Sequence, residues 1–282
     1  LSFRFRDAGH IFGSAFAEIT ERGGAKVAFS GDLGNEHVPI LREKAQLSDM
    51  DALVIESTYG NRIHEDESTR QGKLQEVIKR TMQRNGVVLI PAFAIERTQQ
   101  LLFELNRLVQ NAHLPSIDVY LDSPMAIKVT DVIKRYPQYY DAEAKKLVAD
   151  GEDFLDFPGL QVCLSRDESR KINDARRPKI IIAGSGMMNG GRILHHLVRY
   201  LGDARSTVLI IGYQAEGTLG RQLYERQKKV RVMQETVDVR AEVTSIGAYS
   251  AHADQNMLTR WVRGAAGLPE RVFCTHGDEG AS

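Results

Sequence analysis

Short apolar runs recur through the middle of the chain: "GVVLIPAF" at 86–93, "IDVYLDSP" at 117–124, "PKIIIAGSG" at 178–186 and "STVLIIGY" at 206–213. Between them lie stretches of helical periodicity, at 69–84, near 96–111, in segments up to about 149 and near 191–201. A strand that is apolar at consecutive positions, rather than alternate ones, must be covered on both faces. Strands joined through helices run parallel. The two conditions together predict a doubly wound α/β domain with a parallel sheet between helical layers.

The ends of the chain read differently. "LSFRFRD", "SAFAEIT", "KVAFSGD" and "ALVIEST" are strands with short turns in the first sixty residues. After a polar, charged segment at 225–238, "VDVRAEVTSI" and "ERVFCTHG" return to strands, with a helix over 254–263 between them. The order β-rich, α/β, β-rich predicts one domain inserted into another, with segments 1–60 and 246–282 forming the host and 61–245 the insert. Leu1 already stands in an alternating strand pattern, so the chain is expected to be a piece of a longer protein.

Bulk properties exclude little. Lys plus Arg and Asp plus Glu number 37 each, so net charge argues for no polyanionic partner, while a local basic groove stays open. The two cysteines, Cys163 and Cys274, lie in apolar strand-like runs and are expected to be buried free thiols in a reducing compartment, the cytoplasm by default. No apolar run approaches the roughly 18–20 residues that span a bilayer, and the N-terminus lacks the pattern of a signal peptide, so no membrane association is expected.

Five strand-to-loop junctions place an ionisable residue among small ones: His10 in "RDAGHIFGSA", Asp32 in "VAFSGDLGN", Glu56 in "LVIESTYG", His252 in "GAYSAHADQ" and His276 in "VFCTHGDEG". Strand ends are rigid platforms, and imidazole with carboxylate is a suitable donor set for a borderline ion such as zinc. Each residue also has a plain structural reading, as a solvated turn histidine or, for Glu56, as a cap before Ser57 and Thr58. His37, His64, His113, His195 and His196 are read as surface or packing residues. On residue type and position alone, both readings stand.

The motifs taken in order narrow the choice. "DAGHIFGSA", "FSGDLGN", "ESTYGNR", "PAFAIERTQQLL", "DSPMA", "AGSGMMNGGR", "GYQAEGTLG", "SAHADQ" and "THGDEG" together resemble the β-CASP group of metallo-β-lactamase-fold nucleases, closest to its RNA-processing branch. The resemblance implies a partial, N-terminally truncated αββα sandwich carrying an inserted α/β β-CASP domain. It implies that His10, Asp32 and His276 are metal ligands, Asp32 bridging two zinc ions, with Mn²⁺ able to replace zinc. Glu56 then orients His252, which protonates the leaving oxygen. A histidine at 276, where DNA-acting relatives typically carry valine, favours RNA. The family's His-x-His-x-Asp-His motif is missing from these residues, so metal occupancy is expected to be partial or nil and activity impaired in this chain.

Smaller signals lie in the insert. The glycines after "PKIIIA" predict a nest of backbone amides for a substrate phosphate, formed by Ser185, Gly186, Gly190 and Gly191. Glu96 stands where many relatives have glycine, and Arg97 is expected either to face the substrate backbone or to form a solvated first-turn pair on a helix. The resulting expectation is a zinc-dependent RNA phosphodiesterase with single-stranded RNA as partner, homodimerisation of the full-length protein being compatible with the resemblance. Two alternatives accompany it, a non-catalytic RNA-binding or scaffold subunit of the same fold and a nucleotide-binding α/β enzyme using the glycine loop.

Overall fold

A computed structural model describes residues 1–282. Its contacts divide the chain into two units, one of residues 1–64, 138–145 and 250–282, the other of 65–137 and 146–249. In chain order the strands and helices begin β1 (Ser2–Asp7), β2 (Ala15–Thr20), β3 (Lys26–Phe29), β4 (Ala52–Glu56), α1 (Arg70–Gln83), β5 (Val87–Pro91), α2 (Arg97–Gln110) and β6 (Asp118–Leu121). They continue with α3 (Pro124–Lys134), α4 (Ala142–Ala149), β7 (Leu160–Val162), α5 (Arg166–Lys171), β8 (Lys179–Ala183), α6 (Ile193–Tyr200) and β9 (Thr207–Ile210). The last are α7 (Leu219–Tyr224), β10 (Lys229–Val232), β11 (Glu235–Asp238), β12 (Glu242–Ser245), α8 (Gln255–Arg263) and β13 (Arg271–Thr275).

The first unit is a five-stranded sheet in the order β1-β2-β3-β4-β13, antiparallel across its first three strands and parallel across its last three. The strand alternation has a physical counterpart on each face. Phe16, Ala28, Leu53 and Ile55 point to one side and pack with Leu258 and Trp261 of α8, whose indole donates to the Ala45 carbonyl (2.8 Å). The cross-strand row Phe5, Ala17, Phe29, Val54 and Phe273 lies on the opposite side. Phe5 is 72% exposed and Phe273 55%. An apolar row this open is unusual, because a sheet normally buries such a face. Residues 138–145 cluster with this unit through Asp141, whose carboxylate accepts from the Ile40 N–H (2.9 Å).

The second unit is a six-stranded sheet in the order β12-β9-β5-β8-β6-β7, parallel throughout. Every residue of β5, β8 and β9 is buried, as the consecutive apolar runs require. The chain runs outward from β5 to β6 and β7, then returns through β8 to β9 and β12. Right-handed crossovers therefore put α2 and α3 on one face and α5, α6 and α7 on the other. Ile193, Leu197 and Tyr200 of α6 and Leu223 of α7 accordingly share one core with Ile181 and Val208 of the sheet. The segment read from sequence only as polar and charged contains the β10–β11 hairpin, whose turn residue Met233 has φ 57°. No Gly, Asn or Asp marks that turn, so turn chemistry gave no signal. No helix is long and apolar enough to cross a membrane.

Candidate metal centre

The first unit gathers His10, Asp32, Glu56, His252 and His276 at one edge of its sheet. His10 sits in the β1–β2 connection, where the Ser14 hydroxyl accepts from the N–H groups of His10 (3.1 Å) and Ile11 (3.2 Å). The loop is pinned against residue 34, since the Gly34 N–H donates to the Ala8 carbonyl (2.8 Å). A Cβ at Gly34 would collide with the Gly9 carbonyl oxygen, which is why "DLGN" needs its glycine. Asp32 follows β3 two residues before that contact.

Glu56 ends β4 and is 2% exposed. Its Oε1 accepts from the Leu33 N–H (2.5 Å), and its own N–H donates to the Ser30 hydroxyl (2.9 Å). The His252 Nδ1 lies 3.1 and 3.0 Å from the two Glu56 oxygens. A carboxylate in that position holds the proton on Nδ1 and turns the other ring nitrogen outward. The loop bearing His252 is clamped to residues 33–35: Ala253 N–H donates to Leu33 O (2.8 Å), Asn35 N–H to Ala251 O (2.8 Å), and Asn35 Nδ2 to Ser250 O (3.1 Å). Asp254 starts α8 by accepting from the Met257 N–H (2.9 Å), as helix-start chemistry predicts.

Around Asp32 the geometry is that of a donor set. One carboxylate oxygen lies 3.8 Å from His10 Nε2 and the other 3.5 Å from His276 Nε2. These gaps are long for hydrogen bonds. Two donors on one tetrahedral ion at about 2.1 Å stand about 3.4 Å apart, so the spacing fits ligands that share a metal. The ligand atoms of His10, Asp32 and His252 all lie within 4.8 Å of one another, and the His10 and His252 ring centroids are 4.4 Å apart. His276, at φ 54°, is the more exposed ring, and its carbonyl accepts from the Thr58 hydroxyl (2.9 Å). The residues present therefore fit a metal of the zinc type. They also place His252 beside that donor set, with its Nδ1 already committed to Glu56.

Sequence reasoning missed one participant and misplaced others. His64, read as a polar-loop residue, has its Nε2 2.9 Å from the His252 carbonyl, and its N–H donates to Asp254 (3.0 Å). No local pattern signals a contact that spans 188 residues. Cys163 is buried as expected, but Cys274 is exposed, because every residue of the edge strand β13 is exposed.

Arg97 does not face outward. It is 3% exposed, and its Nη1 bonds the Gln100 side chain and the Tyr249 carbonyl, so a polyanion cannot reach it. In the glycine loop one of the four expected nest amides, that of Ser185, is engaged within the loop itself. The N–H groups of Ser185, Met188 and Asn189 donate to the Gly190 carbonyl, the Ser185 carbonyl and the Ser185 hydroxyl, respectively. A Cβ at Gly191 would strike the Gly184 carbonyl and one at Gly186 would come within 2.6 Å of the Phe93 ring, so close packing explains both glycines.

Comparison with known proteins bears on the family of the chain. Residues 98–223 match the Beta-Casp domain and residues 236–282 the Zn-dependent metallo-hydrolase RNA specificity domain. The chain is 37% identical over 279 residues to a ribonuclease of Thermus thermophilus, 34% over 283 residues to an RNase J-like protein of Methanocaldococcus jannaschii, and 31% over 295 residues to the transcription termination factor FttA of Methanosarcina mazei. These alignments cover 99%, 99% and 100% of this chain but 63%, 64% and 46% of the relatives, so the chain spans about half to two thirds of their length. With both domain matches in chain order and the motif residues gathered at one sheet edge, the chain belongs to the β-CASP family of metallo-β-lactamase-fold RNA nucleases.

Proposed function

We propose that the chain carries part of the active site of a zinc-dependent RNA phosphodiesterase, in which Asp32 would be a ligand shared by a pair of zinc ions and His252 is the proton donor. The observation that carries this reading is the pairing of His252 Nδ1 with the buried Glu56 carboxylate beside an aspartate whose two oxygens each meet a different imidazole. His10, Asp32 and His276 would hold the metal. Zinc there supplies Lewis acidity toward a phosphoryl oxygen and lowers the pKa of water, and Mn²⁺ can take its place.

The chain's own residues do the rest. Glu56 fixes the His252 ring and its tautomer, so that the outward nitrogen can deliver a proton to the leaving oxygen as the phosphodiester bond breaks. Leu33 and Ser30 anchor Glu56 in turn, which keeps the donor in place without cost at the moment of reaction. The donors present here fall short of two complete sites, so zinc binds this chain more weakly than it binds a protein with further ligands. Both cysteines are free, consistent with a reducing compartment, for which the cytoplasm is the proposed location.

The test is RNA cleavage by a version extended to the length of the relatives and loaded with zinc. His252→Ala is expected to lower kcat by roughly 10²–10⁴-fold with zinc content unchanged. Intact RNA with the unaltered protein, or equal rates with and without the His252 imidazole, would show the assignment to be wrong.

A further inference from the structure

A second group of polar residues lies wholly within the α/β unit and plays no part in the metal centre. A cavity of about 690 Å³ is lined by Arg166, Ser169, Arg170 and Asn173 from α5 and its end, and by Gly191, Arg192, His195 and His196 at the start of α6. The first four recur at i, i+3, i+4 and i+7, so one helical face supplies them. No carboxylate is in the lining. Asp122, which touches three of the lining residues, is saturated: it accepts from Arg192 Nη1 (2.7 Å), from the Ser169 hydroxyl (2.6 Å) and from His196 Nε2 (2.8 Å). Burial alone would raise its carboxyl, but these hydrogen bonds outweigh burial and hold it below the usual carboxylate range.

Arg192 is pinned further by the Cys163 and Leu164 carbonyls (both 2.8 Å), which fixes the guanidinium at the wall. Arg166 and Arg170 are exposed, and the pair Arg170 makes with Asp167 (3.3 Å) is a surface contact of little strength. His196 is 2% exposed, and its Nδ1 has no protein partner. The segment that supplies the lining is basic: between residues 165 and 205 there are nine Lys or Arg against four Asp or Glu, in a chain balanced overall.

We propose that this cavity is a subsite for the phosphodiester backbone of single-stranded RNA, with Arg166 and Arg170 as the phosphate-binding side chains and Arg192 as a wall residue held by Asp122. The guanidinium fork matches two phosphate oxygens at once. The volume exceeds that of a lone phosphate and suits a nucleotide segment. The proposal rests on the reading of the protein as RNA-acting, and it places the phosphate contacts on side chains of the helix beside the glycine loop.

The experiment is anisotropy titration of a fluorescein-labelled single-stranded oligoribonucleotide with the chain over a series of salt concentrations. The Arg166→Ala/Arg170→Ala double variant is expected to weaken binding by about tenfold or more at low salt. It should also reduce the slope of log K against log salt by about 1.4, at about 0.7 per lost contact. Arg166→Lys/Arg170→Lys should keep the slope and lose part of the affinity, which loss of folding would not produce. Unchanged affinity and slope in the alanine variant overturn the proposal. Arginine-dependent binding of AMP by calorimetry with no arginine effect on the oligoribonucleotide overturns it in favour of a mononucleotide site. Arginine-dependent RNA binding with no cleavage by the zinc-loaded, extended protein supports the subsite and counts against the catalytic assignment alone.

Discussion

Glu96 is the residue whose replacement tests the energetics of the α/β unit most directly. It is fully buried at the start of α2, beside the buried Arg97, and no side-chain donor bonds its carboxyl oxygens. Burial pushes its carboxyl from 4.5 up to about 8, with the Arg97 guanidinium opposing only part of the rise. A carboxyl whose folded value lies above its unfolded one gains protons on folding, so its contribution is complete below about pH 4.5 and is lost as pH climbs through about 8. Each pH unit well inside that window is worth about 1.4 kcal/mol. From about pH 5.5 to about pH 7.5 the group should therefore remove about 2.5 kcal/mol of stability, slightly less than two full units because the upper point nears the folded midpoint. Glu96→Gln has no proton to lose there and should flatten this part of the profile. Urea unfolding followed by far-ultraviolet circular dichroism at the two pH values measures the difference between the proteins, in which pH effects common to both cancel. If the Gln variant loses stability in parallel with the unaltered chain, the carboxyl is not held neutral and the reasoning fails.

Glu96 also has φ 70°, where a Cβ is strained, so Glu96→Gly should be more stable than Glu96→Ala by about 1 kcal/mol in the same urea assay, the reverse of the ordinary preference within a helix. Cys163 is buried and its thiol is pushed up to about 11, whereas Cys274 is exposed; an aromatic disulfide reagent should therefore titrate one thiol rapidly in the folded chain and the second only in denaturant. The open row containing Phe5 and Phe273 should drive concentration-dependent association of the chain, seen by sedimentation velocity, and Phe5→Ser/Phe273→Ser should weaken it. In the zinc-loaded, extended protein, Glu56→Gln should lower RNA cleavage by about 10- to 100-fold while leaving zinc content unchanged, because Glu56 acts on the His252 ring and not on the metal.

The parts of this molecule that were legible from sequence are those whose cause is local. The runs "VVLIP" and "KIIIA" can be apolar at every position only if both faces are covered, and both are central strands of the parallel sheet. The five candidate residues stand out in the sequence because each lies at or beyond a strand end among small neighbours. Arg97 was misread for a related reason: a charged residue at a helix start normally meets solvent, and nothing within a few positions shows that Tyr249, 152 residues away, supplies its acceptor. The hairpin at 229–238 was hidden because its turn uses Met233 at positive φ in place of a turn-forming residue.

The glycine loop adds a sharper lesson about motif reading. Glycines after a parallel strand can signal a bound phosphate or close backbone packing, and the spacing is the same for both. Here a Cβ at Gly191 is forbidden by the Gly184 carbonyl whether or not any ligand binds. Close packing therefore accounts for Gly186 and Gly191 without a phosphate, while Gly190 meets nothing within 4 Å. The charges are the better guide, because Arg166 and Arg170 stand one turn apart and line a cavity that no carboxylate lines. A functional claim on this unit should accordingly be tested at those two arginines, whose removal leaves the packing of the loop intact.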